Sequence, residues 1–231
     1  LTFSKLGRFY IRYQGFNDEA SYMSDWLGGD EYSNTLYGLE WKDILSGRQG
    51  DDFLYGGSGD DLLIGGPGAD FLDGGSGWDT ISYHDSNEGI SIFLDNSSPS
   101  LGGTAQGDSF NSIESIFSTE FDDVISTTAA AEIIKTLGGN DTIYSMSGGD
   151  KINSGDGNDY ISSGIGGNII FGKSGDDEIY SERSIDIISG GRGNDILSGG
   201  GARDIYLFGN NFGIDKVIEL KDRRYSDDIV L

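Results

Sequence analysis

Aspartate recurs in this chain at one fixed interval. Asp43, Asp52, Asp61, Asp70 and Asp79 lie nine residues apart, and so do Asp141, Asp150 and Asp159, then Asp177, Asp186, Asp195 and Asp204, with Asp123 two intervals before Asp141. Carboxylates in register can do two kinds of chemistry: general acid–base work in a pair, or ligation of a hard cation. The neighbours Asp51–Asp52, Asp60–Asp61 and Asp122–Asp123 would read as a glycosidase pair if each stood alone. A catalytic pair occurs once in a protein, whereas these recur copy after copy, so ligation and solvated turns account for them better. The chain has no cysteine, and His84 is its single histidine, which excludes disulfides, thiolate chemistry and multi-histidine zinc. His84 itself reads as a solvated loop residue.

The charge balance points the same way. Of 231 residues, 39 are acidic and 15 basic, a formal charge of −24. Nucleic acid and anionic membranes need basic patches, so neither is an expected partner. Between Gln49 and Ile134 there is no Lys or Arg and there are 16 acidic residues. A folded segment of that kind repels itself unless cations from solution neutralise it. Such a composition can also mean disorder, but 12 Tyr, 12 Phe and 3 Trp are too many for a solvated tail. No stretch reaches the roughly 18 apolar residues a membrane-spanning helix needs. The start, Leu1-Thr2-Phe3-Ser4-Lys5, has neither an initiator Met nor a signal pattern, so the chain reads as a piece of something longer.

The elements that must position the aspartates follow from the period. Residues 56–64 read GGSGDDLLI, 65–73 GGPGADFLD and 74–82 GGSGWDTIS, with Gly at positions 1, 2 and 4, Asp at 6 and an aliphatic residue at 8. The frame extends back through 47–55 and a worn copy at 38–46, breaks, and resumes at 118–126 for ten uninterrupted copies to 199–207. Across 15 copies only Glu132 and Asn168 replace Asp at position 6, and only Tyr206 replaces an aliphatic at position 8. Glycine permits φ > 0, so six residues can make a tight turn. The next three form a brief strand whose middle side chain faces one side. One copy cannot bury that side chain, so copies must stack, and turn–strand–turn–strand makes one coil of 18 residues. Aspartates then line both edges about 4.8 Å apart, where they repel one another unless ions intervene. Calcium suits six to eight carboxylate and carbonyl oxygens in tolerant geometry better than magnesium does. The fold class is therefore all-β, a parallel β-roll. Its organisation reads as an N-terminal flank over 1–37, a first block over 38–82, an inter-block flank over 83–117, a second block over 118–207 and closing strands over 208–231.

The GGxGxDxUx copies resemble the RTX nonapeptide repeat. The surroundings GWDTISYHDSNEGISIFLD, GDSFNSIESIFSTEFDDVIS and DIYLFGNNFGIDKVIELKDRRYSDDIVL resemble segments around repeat blocks of adenylate cyclase toxin and haemolysins. The resemblance implies a β-roll with several calcium ions between its turns, in a secreted, extracellular bacterial protein that folds after leaving a type I secretion channel. It also implies ligand sets. Gly47, Gln49 and Asp52 would face Gly66, Gly68 and Asp70, and Gly56, Ser58 and Asp61 would face Gly75, Gly77 and Asp79. In the second block, Ser154, Asp156 and Asp159 would face Lys173, Gly175 and Asp177, while Gly172, Ser174 and Asp177 would face Gly191, Gly193 and Asp195. Asp141, Asp150 and Asp204 complete the metal-ligating carboxylates.

TTAAAEIIK at 127–135 and SERSIDIIS at 181–189 lack glycine, so sites are not expected on 118–135 or 181–189. Lys173, Arg183, Arg192 and Arg203 sit within turns, where salt bridges could replace ions. Sites should therefore be well filled in the first block and patchy in the second. In the flank, Phe9, Ile11 and Tyr13 alternate with polar residues as in a half-exposed strand, and Trp26 and Tyr32 can cap the solenoid or meet a host receptor. KVIEL and DDIVL read as closing strands. The expected function is a monomeric, non-enzymatic calcium-binding folding module of a toxin. The alternatives are a calcium-stiffened adhesion or receptor-binding module, or an accessory part of a polysaccharide enzyme.

Overall fold

The structure, a computed structural model, describes residues 9–11, 17–19, 24–219 and 228–230. Its strands are short and parallel, and a 3-10 turn at Gly103–Ala105 is the only helical element among the described residues. The chain divides into two compact units: residues up to 83 with 96–115, and 84–95 with the residues from 116 onward. Each is a parallel β-roll.

In the first unit one ladder runs through Phe9–Ile11, Trp26–Gly28, Ile44–Ser46, Leu62–Ile64 and Thr80–Ser82. The other runs through Asn17–Glu19, Thr35–Glu40, Phe53–Ser58, Phe71–Ser76 and Ser109–Asn111. In the second unit Ser91–Phe93, Val124–Ser126, Thr142–Tyr144, Tyr160–Gly164, Glu178–Ser181, Ile196–Gly200 and Lys216–Glu219 form one sheet. Ile133–Lys135, Lys151–Asp156, Ile169–Ser174, Ile187–Arg192, Ile205–Leu207 and Asp228–Val230 form another ladder. Pairing joins residues 18 apart, as in Leu45↔Leu63 and Ile152↔Ile170, so two nonapeptides make one coil.

The position-8 side chains fill the interior. Leu45, Leu54, Leu63, Leu72 and Ile81 in the first unit, and Ile125 through Leu197 in the second, are fully buried, and Tyr206 closes the column with its hydroxyl accepting from Gly199 N at 2.7 Å. Burial of each aliphatic contributes about 1.5–3 kcal/mol, which one coil could not secure alone. The outer faces carry aromatic stacks, Tyr37 on Tyr55 at 5.0 Å and Tyr160 between Tyr144 and Tyr180.

The flanks take part in the rolls. Residues 24–37 add Leu27 and Leu36 to the first core, 96–115 add Phe110 to it, and 84–95 add Ile92 to the second. Trp26 and Tyr32 are exposed, whereas Tyr13 lies outside the described residues. KVIEL and DDIVL each contribute a strand, Lys216–Glu219 and Asp228–Val230.

Candidate metal centres in the stacked turns

Each turn occupies the first six residues of a copy, and most share one backbone shape with left-handed residues at positions 2 and 4. Arg48 and Gly50 have φ of 78° and 108°, and Lys173 and Gly175 have 88° and 131°. The shape belongs to the position rather than to glycine, since Leu39 and Trp41 adopt it as well. Stacking explains why glycine prevails at position 4: a Cβ on Gly68 or Gly175 would overlap the carbonyl oxygen of Gly50 or Gly157 in the turn one coil before.

The position-6 aspartates form a column along each edge, and there they are buried within the turns. Asp43, Asp52, Asp61, Asp70 and Asp79 expose no more than 1 % of their surface. One carboxylate oxygen of each does structural work, accepting the backbone N–H of the position-6 residue one coil earlier. Asp43 N donates to Asp61 Oδ1 at 2.7 Å, Asp52 N to Asp70 Oδ1 at 2.8 Å, and Asp61 N to Asp79 Oδ1 at 2.8 Å. The second unit repeats this in Asp141 N to Asp159, Asp159 N to Asp177 and Asp177 N to Asp195, each 2.9 Å.

The other oxygen is left over. Oδ2 of Asp43, Asp52, Asp61, Asp70, Asp79, Asp141, Asp150, Asp159, Asp177, Asp195 and Asp215 is buried without a hydrogen-bond partner. Beside it lies a backbone carbonyl from the adjoining coil: a Cβ on Gly56 would stand 2.5 Å from Asp61 Oδ2 and 2.6 Å from Gly74 O. Acceptors converging without a donor are costly unless a cation satisfies them. Among the described residues no three acidic or histidine side chains gather at one point. Any ion here must therefore take much of its shell from carbonyls, a donor set that fits calcium.

Burial raises the carboxyl pKa values. Asp43, Asp52 and Asp79 are pushed up to about 6 by burial, against the opposing backbone hydrogen bond. Asp70 reaches about 8 through burial and then the charge of Asp108, and Asp141 and Asp177 reach about 8 chiefly through burial.

The paired turns named from the sequence do lie on one another. Turn 47–52 stacks on 65–70, with Gly50 N donating to Pro67 O at 3.0 Å and a Cβ on Gly66 overlapping Arg48 O. Turn 56–61 stacks on 74–79, with Ser58 in register with Ser76 and Gly59 N on Ser76 O at 2.9 Å. A Cβ on Gly75 or Gly77 would overlap Gly57 O or Gly59 O. Turn 154–159 meets 172–177 through Gly157 N to Ser174 O at 2.7 Å, and 172–177 meets 190–195 through Gly175 N to Arg192 O at 2.8 Å. Gly191 and Gly193 likewise face Lys173 O and Gly175 O. Gln49 and Asp156 are exposed, and Asp156 N donates to Leu137 O at 2.9 Å in the turn one coil before. Lys173 Nζ lies over the Phe171 ring, 5.4 Å from its centroid.

Within the adjacent acid pairs the two carboxylates have separate places. Asp52 and Asp61 are buried, whereas Asp51 and Asp60 are exposed and accept from Ala69 N at 2.9 Å and Trp78 N at 3.0 Å in the next coil. His84 is exposed, its ring 6.0 Å from that of Phe117.

Several position-6 equivalents escaped the sequence reading. Asp25 N and Asn34 N donate to Asp43 and Asp52, so 20–28 and 29–37 are worn copies with Leu27 and Leu36 at position 8. Asp108 and Glu114 end the two first-unit columns, accepting from Asp70 N at 2.8 Å and Asp79 N at 2.9 Å. At Asp108 the second oxygen accepts the buried Tyr83 hydroxyl at 2.6 Å. Asp215 ends a second-unit column, accepting from Asp195 N at 3.0 Å across 20 residues rather than 18. A searchable signal existed, an acid or amide two residues before an apolar one: insertions had broken the frame before Asp108, Glu114 and Asp215, whereas Asp25 and Asn34 keep the frame in copies that lack glycine at positions 2 and 4.

The family model for the RTX calcium-binding nonapeptide repeat matches residues 28–63, 55–87, 111–143, 126–161, 135–170, 162–183 and 183–212, more than half of the chain. No curated protein matches the chain. The turn geometry, the leftover carboxylate oxygens and the matched repeats agree: this chain belongs to the family of RTX calcium-binding repeat proteins and is a calcium-binding β-roll module.

Proposed function

We propose that this chain is the calcium-dependent folding module of a larger secreted bacterial toxin, monomeric and without catalysis of its own. The observation that carries the reading is the row of buried Asp Oδ2 atoms lacking a donor. At neutral pH without metal, closing these turns means burying carboxylates uncompensated or protonating them, so the apo chain is driven toward an extended state. A chain with 39 acidic and 15 basic residues in that state suits passage through a narrow type I secretion channel. Proteins of this repeat family are typically secreted. Outside the cell, a site at ten times its Kd adds about 1.4 kcal/mol through mass action, and several sites together tip the balance to the roll.

A calcium titration followed by far-UV circular dichroism, repeated with magnesium, tests this. A cooperative coil-to-β transition at submillimolar to millimolar calcium and none with magnesium is the expected result. A chain already folded in chelator overturns it. A second reading, adhesion to a host receptor, is favoured by the exposed Trp26, Tyr32 and Trp41 of the first unit. It predicts that Trp26→Ala with Tyr32→Ala abolishes cell binding while leaving calcium-induced folding intact.

A further inference from the structure

We infer that at four turns of the second unit the chain supplies its own donors in place of the cation, so that calcium is confined to the other turns. This rests on the calcium reading above and adds a partition of the sites. At Asp123, Oδ2 accepts from the Ser118 hydroxyl, from Thr119 N at 3.0 Å and from Thr119 Oγ1 at 3.0 Å. At Glu132, Oε1 accepts from Thr128 Oγ1 at 2.5 Å and Thr128 N at 3.3 Å, and Oε2 from Thr127 Oγ1 at 3.3 Å. At Asp186, Oδ2 accepts from Ser181 Oγ at 2.7 Å, so Ser181 rather than the neighbouring Arg183 meets this carboxylate. The fourth turn carries Asn168, whose Nδ2 donates to Ser163 Oγ at 3.1 Å and Ser181 Oγ at 3.3 Å. A cation needs acceptors turned toward it, and here donors already hold those lone pairs.

The backbone gives a second, independent sign. In turns 118–123, 127–132 and 181–186, every residue of which is described, no φ is positive. The left-handed residues that stack the carbonyls of 172–177 on their neighbours are missing. Two of these turns close on a threonine instead, with Thr119 Oγ1 accepting from Phe121 N at 3.0 Å and Thr128 Oγ1 from Ala130 N at 3.1 Å.

A hydroxyl at position 1 is not sufficient by itself. Thr136 and Ser154 donate to Ser154 O at 2.8 Å and Gly172 O at 3.1 Å in the next coil; their hydroxyls favour the charged forms of Asp141 and Asp159, yet Oδ2 of each lacks a partner within hydrogen-bond geometry. On that edge Asp141, Asp159, Asp177, Asp195 and Asp215 form an unbroken run of leftover oxygens. On the opposite edge the run is interrupted: Glu132, Asn168 and Asp186 are satisfied, and Asp150 stands between two of them. Calcium in the second unit therefore follows one edge, and its coil at 118–135 needs no ion at either turn.

Equilibrium dialysis of the full chain against calcium, counting bound ions, tests the partition with matched variants. Asp123→Asn and Asp186→Asn should bind the wild-type number, whereas Asp159→Asn and Asp177→Asn should each lose at least one ion. Loss of an ion in Asp123→Asn or Asp186→Asn overturns the partition. Because an Asn variant can fail to fold, Ser118→Ala and Ser181→Ala serve as a second pair, keeping the carboxylate and deleting its donor. Both should bind the wild-type number, since the turn backbone still lacks the stacked carbonyls; an additional ion in either overturns the partition. Wild-type protein that binds no calcium overturns the underlying reading itself, an outcome distinct from equal losses in all four Asn variants.

Discussion

The five repeat turns of the first unit and the ten of the second share a period, an aliphatic core and a carboxylate–amide bond from coil to coil, yet they part at the first residue of the copy. Gly38, Gly47, Gly56, Gly65 and Gly74 open the five copies from 38 to 82, and all five aspartates that follow keep a buried, unbonded Oδ2. In the second unit Ser118, Thr127, Thr136, Ser145, Ser154, Ser163 and Ser181 open seven of the ten copies, and several of their hydroxyls reach the position-6 side chain. A hydroxyl at position 1 accompanies the self-closed turns without being sufficient for them, since Thr136 and Ser154 leave Asp141 and Asp159 with an unbonded Oδ2. The fold is common to both units, and what differs is which groups meet the buried position-6 side chains.

The comparison is easiest to break with chelator. At neutral pH, hydrogen exchange resolved by segment should find protection lost throughout 38–82 while 118–135 keeps a measurable part; equal loss would dissolve the distinction. The next largest effect should come from Asp61→Ala with Asp79→Ala. This removes two buried, unbonded Oδ2 atoms and strands the N–H groups of Asp43 and Asp61, each at about 1–3 kcal/mol. All three tryptophans, Trp26, Trp41 and Trp78, lie in the first unit, so their fluorescence should report a calcium midpoint raised about tenfold or more. An unmoved midpoint would remove these aspartates from the ligand set.

Acidity sharpens the comparison further. The folded-state pKa values are raised above the ordinary carboxylate value of 3.8, to about 6 at Asp52 and about 8 at Asp70 and Asp177. The metal-free roll takes up protons as it forms, so its stability is fullest below about pH 4 and drains away as pH rises through 6 to 8. Circular dichroism in chelator should find more β structure at pH 5 than at pH 8, and calcium added at pH 7 should release protons. The smallest effect belongs to Ser181→Ala, which deletes one buried donor. It should lower stability by about 1–3 kcal/mol, read by thermal unfolding in saturating calcium, with little change in calcium midpoint.

The coil and its core were readable in the sequence because position 8 is apolar and position 6 acidic in a frame that rarely slips. Leu45, Leu63 and Ile81 needed nothing but counting. The dual use of each aspartate was not readable, because Asp61 Oδ1 binds the amide of Asp43, a contact that exists only after the coils have stacked. The Tyr83–Asp108 bond was hidden for a related reason: it joins residues 25 apart across a loop that breaks the nine-residue frame. The absence of glycine from 127–135 did mark an altered turn, but that Thr127 and Thr128 would both turn onto Glu132 depends on rotamers the sequence does not display.

The 18-residue register also bears on how such a chain lengthens over generations. Each strand pairs with the one two copies away, so gain or loss of a single nonapeptide would move every later copy to the opposite sheet and set its turn beside the wrong neighbour. Gain or loss of two nonapeptides leaves all later pairings as they were. Duplications in this gene should therefore survive in steps of whole coils, with odd-sized slips tolerated only near an end. The two-residue offset between Asp195 and Asp215, after the final repeat, is a slip of that kind.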